Sequence, residues 1–236
     1  MFEHNYEIDY QGLKWDYSVP LSKLMAYLQE TSIRHSQEVG LTMDWFYEQK
    51  SGWVICNWDI EILDKVKWPE TLRVVTCPSM FKGVMAHRGF EIFSGDRLIS
   101  RASSKWVYTN RVKRRPVKVS EEMKNMYGDL KPLPVETDFA VTKIHDKEPI
   151  AQRSVAVTRR DTDTNRHTNN ISYIQWVTDM LSDEQYNNSF IKKAQIAYHR
   201  ECVMGDCVNI CLYNDENKFY ATISKEELLA EIYFEM

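Results

Sequence analysis

The sequence predicts an α+β protein of two similar halves, each a curved antiparallel sheet wrapped around a helix. Three observations lead there. The same order of elements, a short alternating segment, a helical stretch and four strand-like runs, occurs twice in 236 residues. Each helical stretch carries one apolar stripe, which a curved antiparallel sheet can cover. Between the repeats lies a charged segment bearing Pro116, Pro132, Pro134 and Pro149, a composition suited to an exposed connection.

The first half opens with alternation over Tyr6–Tyr10. A helix is expected from about Leu21 to Val39, because Leu21, Leu24, Met25 and Leu28 recur at helical spacing and Gly40 is a natural stop. Strands are expected near Trp53–Ile62, Leu72–Cys77, Val84–Phe93 and Leu98–Tyr108, with Ser94-Gly-Asp96 as a hairpin turn. The second half repeats this with a strand at Ser154–Thr158 and a helix at about Asn170–Leu181. Strands follow at Ile191–Val203, Val208–Tyr213, Phe219–Ser224 and Leu228–Phe234. The expected divisions are an N-terminal domain over 1–130 that includes the start of the linker, a linker over 131–149 and a C-terminal domain over 150–236. A short helix is expected at Val119–Tyr127, on the approach to the linker.

Composition narrows the classes of function. The apolar fraction of 43% and charged fraction of 27% are those of an ordinary soluble globular chain. No run approaches the roughly 18 apolar residues that span a bilayer, and the N-terminus lacks a signal-peptide pattern, so no membrane insertion and a cytoplasmic location are expected. The net charge of −4 weighs against nucleic-acid binding. Five scattered cysteines without C-x-x-C spacing, and no glycine-rich phosphate loop, leave the expectation of neither metal nor cofactor.

The run Asp161–Asn170 carries the chemistry. Asp163, Asn165 and His167 alternate, so an extended chain would set an acid, an amide and an imidazole along one edge. Thr168, Asn169 and Asn170 are all helix starters. Backbone N–H groups near Asn169 and Asn170 are therefore candidate oxyanion donors.

These residues resemble a known family. The pattern Asp163-x-Asn165-x-His167-x-Asn169-Asn170-x-x-Tyr173-x-x-Trp176 is similar to that of acyl–acyl-carrier-protein thioesterases. Tyr198-His-Arg-Glu201-Cys202 falls about as far downstream as that family places its Arg-Glu-Cys segment. Leu28-Gln-Glu30, Arg34-His35, Gly40, Trp106-Val-Tyr108 and Arg114-Arg-Pro116-Val extend the resemblance through the first half. It implies a double hotdog fold and hydrolysis of fatty acyl thioesters carried on the phosphopantetheine of acyl carrier protein. It further implies a catalytic network of Asp163, Asn165, His167 and Glu201. Thr164, Arg166 and Thr168 depart from the usual pattern and are expected opposite the catalytic face. An acyl-coenzyme A thioesterase and a non-catalytic acyl-binding protein are the alternatives.

Thioester hydrolysis requires a water, a base and stabilisation of an oxyanion. Glu201 or Asp163 is expected to activate the water, His167 to donate to the carbonyl or move a proton, and Asn165 to orient or contact the oxyanion. Cys202 invites a thiol-nucleophile reading. Strand alternation puts it with Ala194, Ile196 and Tyr198 on a core face, and puts Glu201 with Lys193, Gln195 and His199 on a polar one, which favours Glu201.

In the first half Lys14, Asp16 and Ser18 stand where the second has Asp163, Asn165 and His167, so one active site is expected. The first half would shape the acyl pocket, with Leu24, Met25, Leu28, Trp53, Trp58 and Phe81 available for it. The cationic run Arg111, Lys113, Arg114 and Arg115, with Lys118, is a candidate docking patch for an acidic carrier. Lys192, Lys193 and Arg200 compete for that role. His4, His35, His87, His145 and His199 sit in no ligand spacing, and a homodimer is compatible with the sequence.

Overall fold

The computed structural model describes residues 1–236 apart from the side chain of Asn188. Its first half runs β1 (Phe2–Glu7), α1 (Leu21–Glu38), α2 (Met43–Glu48), β2 (Ser51–Ile62), β3 (Thr71–Lys82), β4 (Met85–Ser94), β5 (Arg97–Asn110), β6 (Arg115–Pro116) and α3 (Glu121–Tyr127). The second half runs β7 (Ala151–Ala156), α4 (Asn170–Thr178), α5 (Asp183–Asn188), β8 (Lys193–Tyr198), β9 (Cys207–Asp215), β10 (Lys218–Ser224) and β11 (Leu228–Glu235).

All eleven strands join one antiparallel sheet in the order β1-β3-β4-β5-β2-β8-β11-β10-β9-β7, with β6 beside β5. The two halves thus have the same strand order, read outward from the β2–β8 seam. Asp59 pairs with Gln195 at the centre of that seam, flanked by Trp58↔Ile196 and Ile60↔Ala194. A pseudo-twofold axis passes through this rung, and the Gln195 amide donates to Asp59 across it at 3.1 Å.

Each half curls over its helix, as the apolar stripes require. Helix α1 buries Leu21, Leu24, Met25 and Leu28 along its first half, then Thr31, Ser32, His35 and Ser36 along its second. Helix α4 buries Tyr173, Ile174, Trp176 and Val177. Enclosing an Ile or Val side chain of this kind contributes about 1.5–3 kcal/mol. The two helices meet each other, so one apolar cluster runs through both halves.

Three expectations need correction. The helix of the second half is nine residues, ending at Thr178 rather than Leu181. The two short helices α2 and α5 follow the central ones and were not foreseen. The linker is not an exposed connection throughout, because it crosses the outer face of the seam as a docked strap. Val135 and Phe139 are buried there, Thr137 donates to Asp59 at 2.5 Å, and Asn57 donates to the Phe139 carbonyl at 3.1 Å. Ser103 donates to the Val135 carbonyl at 2.7 Å. At Gly89 a Cβ would stand 2.5 Å from Pro134 Cδ, so the strap lies on bare backbone there. Prolines suit this path because each one removes a donor that a strap on a complete sheet would leave unpaired.

Candidate active site

The run Asp161–Asn170 is a tight turn, not an extended edge. Asp163 N donates to the His167 carbonyl at 2.8 Å, and Arg166 N donates to the Asp163 carbonyl at 3.0 Å. Arg166 takes a positive φ of 66°, and Thr162 bridges to Thr168. The turn wins over the strand because the Asp163 carboxylate bonds locally, accepting from Asn165 N at 2.8 Å and His167 N at 3.2 Å. Such side-chain bonds to the next residues' backbone are what make Asp a turn former. Asn165 Nδ2 adds a bond to the other Asp163 oxygen at 3.2 Å. Thr164, Asn165 and Arg166 are exposed at the tip, while Thr168 is 6% exposed and faces the core. The expectation that Thr164, Arg166 and Thr168 share a face opposite the site therefore fails.

Glu201 reaches His167 from another segment. Strand β8 ends at Tyr198, so Glu201 and Cys202 lie past the strand rather than in it. Thr168 N donates to the Cys202 carbonyl at 2.8 Å, and His167 bridges to Val203. These contacts bring His167 Nε2 to 3.4 Å from a Glu201 carboxylate oxygen, both side chains being partly open to solvent. The Glu201 carboxylate has no other side-chain or backbone partner among the described residues.

Cys202 points the other way. It is 2% exposed, and its Sγ meets Thr168 Oγ1 at 3.0 Å and Tyr173 Oη at 3.1 Å. Burial, followed by the neighbouring thiol, pushes the Tyr173 phenol well above the ordinary range. Glu201 is exposed and Cys202 buried, the faces alternation expects, although the segment is irregular. Thr168 and Tyr173 were missed as thiol partners; a hydroxyl replacing an apolar residue beside the helix start was the available signal.

The helix start is partly spent. Asn169 caps α4, its side chain accepting from Ile171 N at 3.0 Å. Asn169 N itself donates to the Asp161 carbonyl at 2.7 Å, which removes it as an oxyanion donor. The Asn170 N–H has no intramolecular partner among the described residues. Asp161, also overlooked, ties the region together by accepting from Trp176 Nε1 at 3.1 Å and Thr158 N at 2.7 Å. Its Thr158-x-x-Asp161 spacing is a capping box legible in the sequence.

The cationic run is the tip of the β5–β6 hairpin, not part of the linker, with Asn110 capping the turn through Val112 N and Lys113 N. Arg111, Lys113, Arg114 and Arg115 are exposed and form no ion pair among the described residues. Asn110 pairs with Ser51 at the start of β2, and β8 runs antiparallel to β2 towards that same end. The hairpin and Glu201 therefore lie at one end of the central strands. Of the competing cations, Lys192 and Lys193 lie at the opposite end of β8, and Arg200 pairs with Glu227.

Comparison with known proteins agrees with this architecture. Residues 1–127 match the acyl-ACP thioesterase N-terminal domain and residues 144–230 the C-terminal domain. The oleoyl-acyl carrier protein thioesterase of Coriandrum sativum is 31% identical over 199 residues, covering 77% of this chain and 54% of that protein. The palmitoyl-acyl carrier protein thioesterase of Arabidopsis thaliana is 28% identical over 219 residues, covering 86% and 52%. The chain spans about half the length of these plant relatives. Among solved structures, an acyl-ACP thioesterase from Bacteroides thetaiotaomicron shares the fold with a TM-score of 0.88 at 21% identity, covering 99% of this chain and 96% of that one. The 12:0-ACP thioesterase from Umbellularia californica gives 0.87 at 19%, with the same coverage. No helix is long and apolar enough to cross a membrane. With both domain matches in chain order on a repeated fold, the chain belongs to the acyl-ACP thioesterase family.

Proposed function

We propose that this chain hydrolyses fatty acyl thioesters of acyl carrier protein, with Glu201 as the base that activates water. One observation carries the reading: a carboxylate with no other partner among the described residues stands 3.4 Å from His167 Nε2. The competing acid, Asp163, has both oxygens engaged by its own turn. The water gives a proton to Glu201 as its oxygen bonds to the thioester carbon. Asn170 N–H and the unspent amide hydrogen of Asn165 serve the oxyanion. The C–S bond then breaks, and the departing thiolate takes its proton through His167. Asp163 positions Asn165 and His167 in this scheme.

The domain boundaries proposed are 1–130 and 150–236, with the strap between them and the first half forming the acyl pocket. The unpaired cations of the β5–β6 hairpin favour an acidic carrier over free coenzyme A, since they stand at the catalytic end and attract opposite charge. Hydrolysis rates for one acyl chain on acyl carrier protein and on coenzyme A test the proposal. The carrier thioester is expected to give the higher kcat/KM. Equal rates would transfer the assignment to coenzyme A, and no release from either would leave an acyl-binding protein.

A further inference from the structure

The pseudo-twofold axis builds the catalytic turn a second time, at the opposite end of the sheet. Lys14 N donates to the Ser18 carbonyl and Tyr17 N to the Lys14 carbonyl, both at 3.0 Å, as Asp163, Arg166 and His167 do in the second half. Tyr17 has a φ of 62° against 66° for Arg166. Val19 N reaches the Val66 carbonyl at 3.0 Å, matching Thr168 and Cys202, and Ser18 bridges to Lys67 as His167 does to Val203. This register sets Lys65 in the place of Glu201 and Lys14 in the place of Asp163. Two acids have become two cations on an unchanged backbone.

Lys14 and Lys65 line a cavity of about 30 Å³ beside Leu21, Phe190 and Ile191. In a measure where one water takes roughly 10–15 Å³, that holds a small group of a few atoms. The lysine donors are not exhausted. Among the described residues Lys14 Nζ gives two hydrogens, to the carbonyls of Tyr186 at 2.5 Å and Ser189 at 3.0 Å, and keeps a third. Lys65 Nζ stands over the Phe190 ring at 5.5 Å and 3.8 Å from Asp16, beyond hydrogen-bond reach.

The local acids do not balance these charges. Asp16 is shared with Lys67 at 3.5 Å and bonds to Ser18, and Asp64 is held by Arg97 and Lys65 N. Burial and the Lys65 charge hold the Lys14 ammonium below the ordinary lysine range. Helix α1 adds to the positive side, since Pro20 gives it no side-chain cap and the Leu21 and Ser22 N–H groups have no intramolecular partner among the described residues.

We propose that this counterpart of the active site binds a single oxyanion, a phosphate or carboxylate group, between Lys14, Lys65 and the first turn of α1. The inference stands apart from the hydrolase reading, because none of these residues belongs to the catalytic turn.

Calorimetric titration of the full chain with inorganic phosphate and, separately, with butyrate at constant ionic strength tests it. One saturable site per chain is expected for at least one anion. Binding of phosphate alone assigns the site to phosphate esters, and of butyrate alone to carboxylates. Lys65→Gln should weaken that binding roughly tenfold, the loss of one charge-assisted bond. Asp16→Asn, which keeps every lysine, should strengthen it severalfold by removing the competing carboxylate. No saturable binding of either anion, or binding unmoved by both substitutions, overturns the proposal.

Discussion

His167 Nε2 lies 3.4 Å from the Glu201 carboxylate because Thr168 N, one residue on, is bonded to the carbonyl of Cys202, one residue on from Glu201. The contact is a matter of register, since a backbone bond between the two neighbours sets the separation of the two functional groups. The same register in the first half sets Lys65 opposite Ser18, so the pairing is lost through side-chain identity and not through a change of backbone.

The division of labour between the two acids has a kinetic signature. Glu201→Gln removes the proposed base, and kcat should fall about 10²–10⁴-fold. Asp163→Ala removes the acceptor of Asn165 N and His167 N and should lower kcat by misplacing both. Asp163→Asn, which keeps an acceptor oxygen, should retain more activity than Glu201→Gln. If Asp163→Asn costs more than Glu201→Gln, the roles are the reverse of those proposed.

Cys202→Ala separates thiol from water chemistry. The thiol is buried between two hydroxyls, and its loss leaves them without a partner, which costs about 1–3 kcal/mol. Denaturant unfolding should show that loss, while kcat should stay within about tenfold of the wild type. Loss of several orders of magnitude in a folded enzyme would return Cys202 to the role of nucleophile.

Some strand boundaries were legible where alternation and turn residues agree: Leu98–Tyr108 was expected and Arg97–Asn110 is observed, whereas Ile191–Val203 was expected and Lys193–Tyr198 is observed, and Tyr6–Tyr10 was expected and Phe2–Glu7 is observed. The residues of the proposed site could be named from the sequence, but the shape they take could not. Asp163, Asn165 and His167 alternate, and period-two spacing cannot distinguish a strand from a turn whose Asp bonds to its own backbone. Glu201 was placed on the exposed side by a rule for strands that does not govern its segment. The strap was misread because prolines and charges mark exposed loops on average, whereas Val135 and Phe139 anchor this one at two points. Polar tertiary partners such as Thr168 with Cys202, or Asp59 with Thr137, leave no periodic trace.

Docking through the β5–β6 hairpin predicts a selective kinetic change. Arg114→Glu with Arg115→Glu should raise KM for acyl carrier protein substrate several-fold and leave kcat and the coenzyme A reaction near their original values. The effect should shrink in high salt, since exposed charges are screened over about 8–10 Å at ordinary ionic strength. An unchanged KM would dismiss the hairpin as the carrier contact.

The interior of the first half holds a buried cation whose neighbour must stay neutral. Arg88 is 7% exposed and donates to His35 Nδ1 at 2.9 Å and Thr76 Oγ1 at 3.2 Å. His35 is itself buried, and burial followed by the Arg88 charge lowers its pKa from 6.5 to about 3. Between those values the unfolded chain binds a proton that the folded chain does not. Folding stability therefore rises with pH across this window, and the contribution is lost as pH falls below 6.5. At pH 5 the loss from this one residue amounts to about 2 kcal/mol, at 1.36 kcal/mol per pH unit. His35→Gln keeps an acceptor for Arg88 and removes the titration. Urea unfolding from pH 7 to 5 should then show a smaller decline for the variant than for the wild type, by about that amount. Parallel declines would mean that His35 takes up its proton in the folded state, and that the Arg88 contact does not hold it neutral.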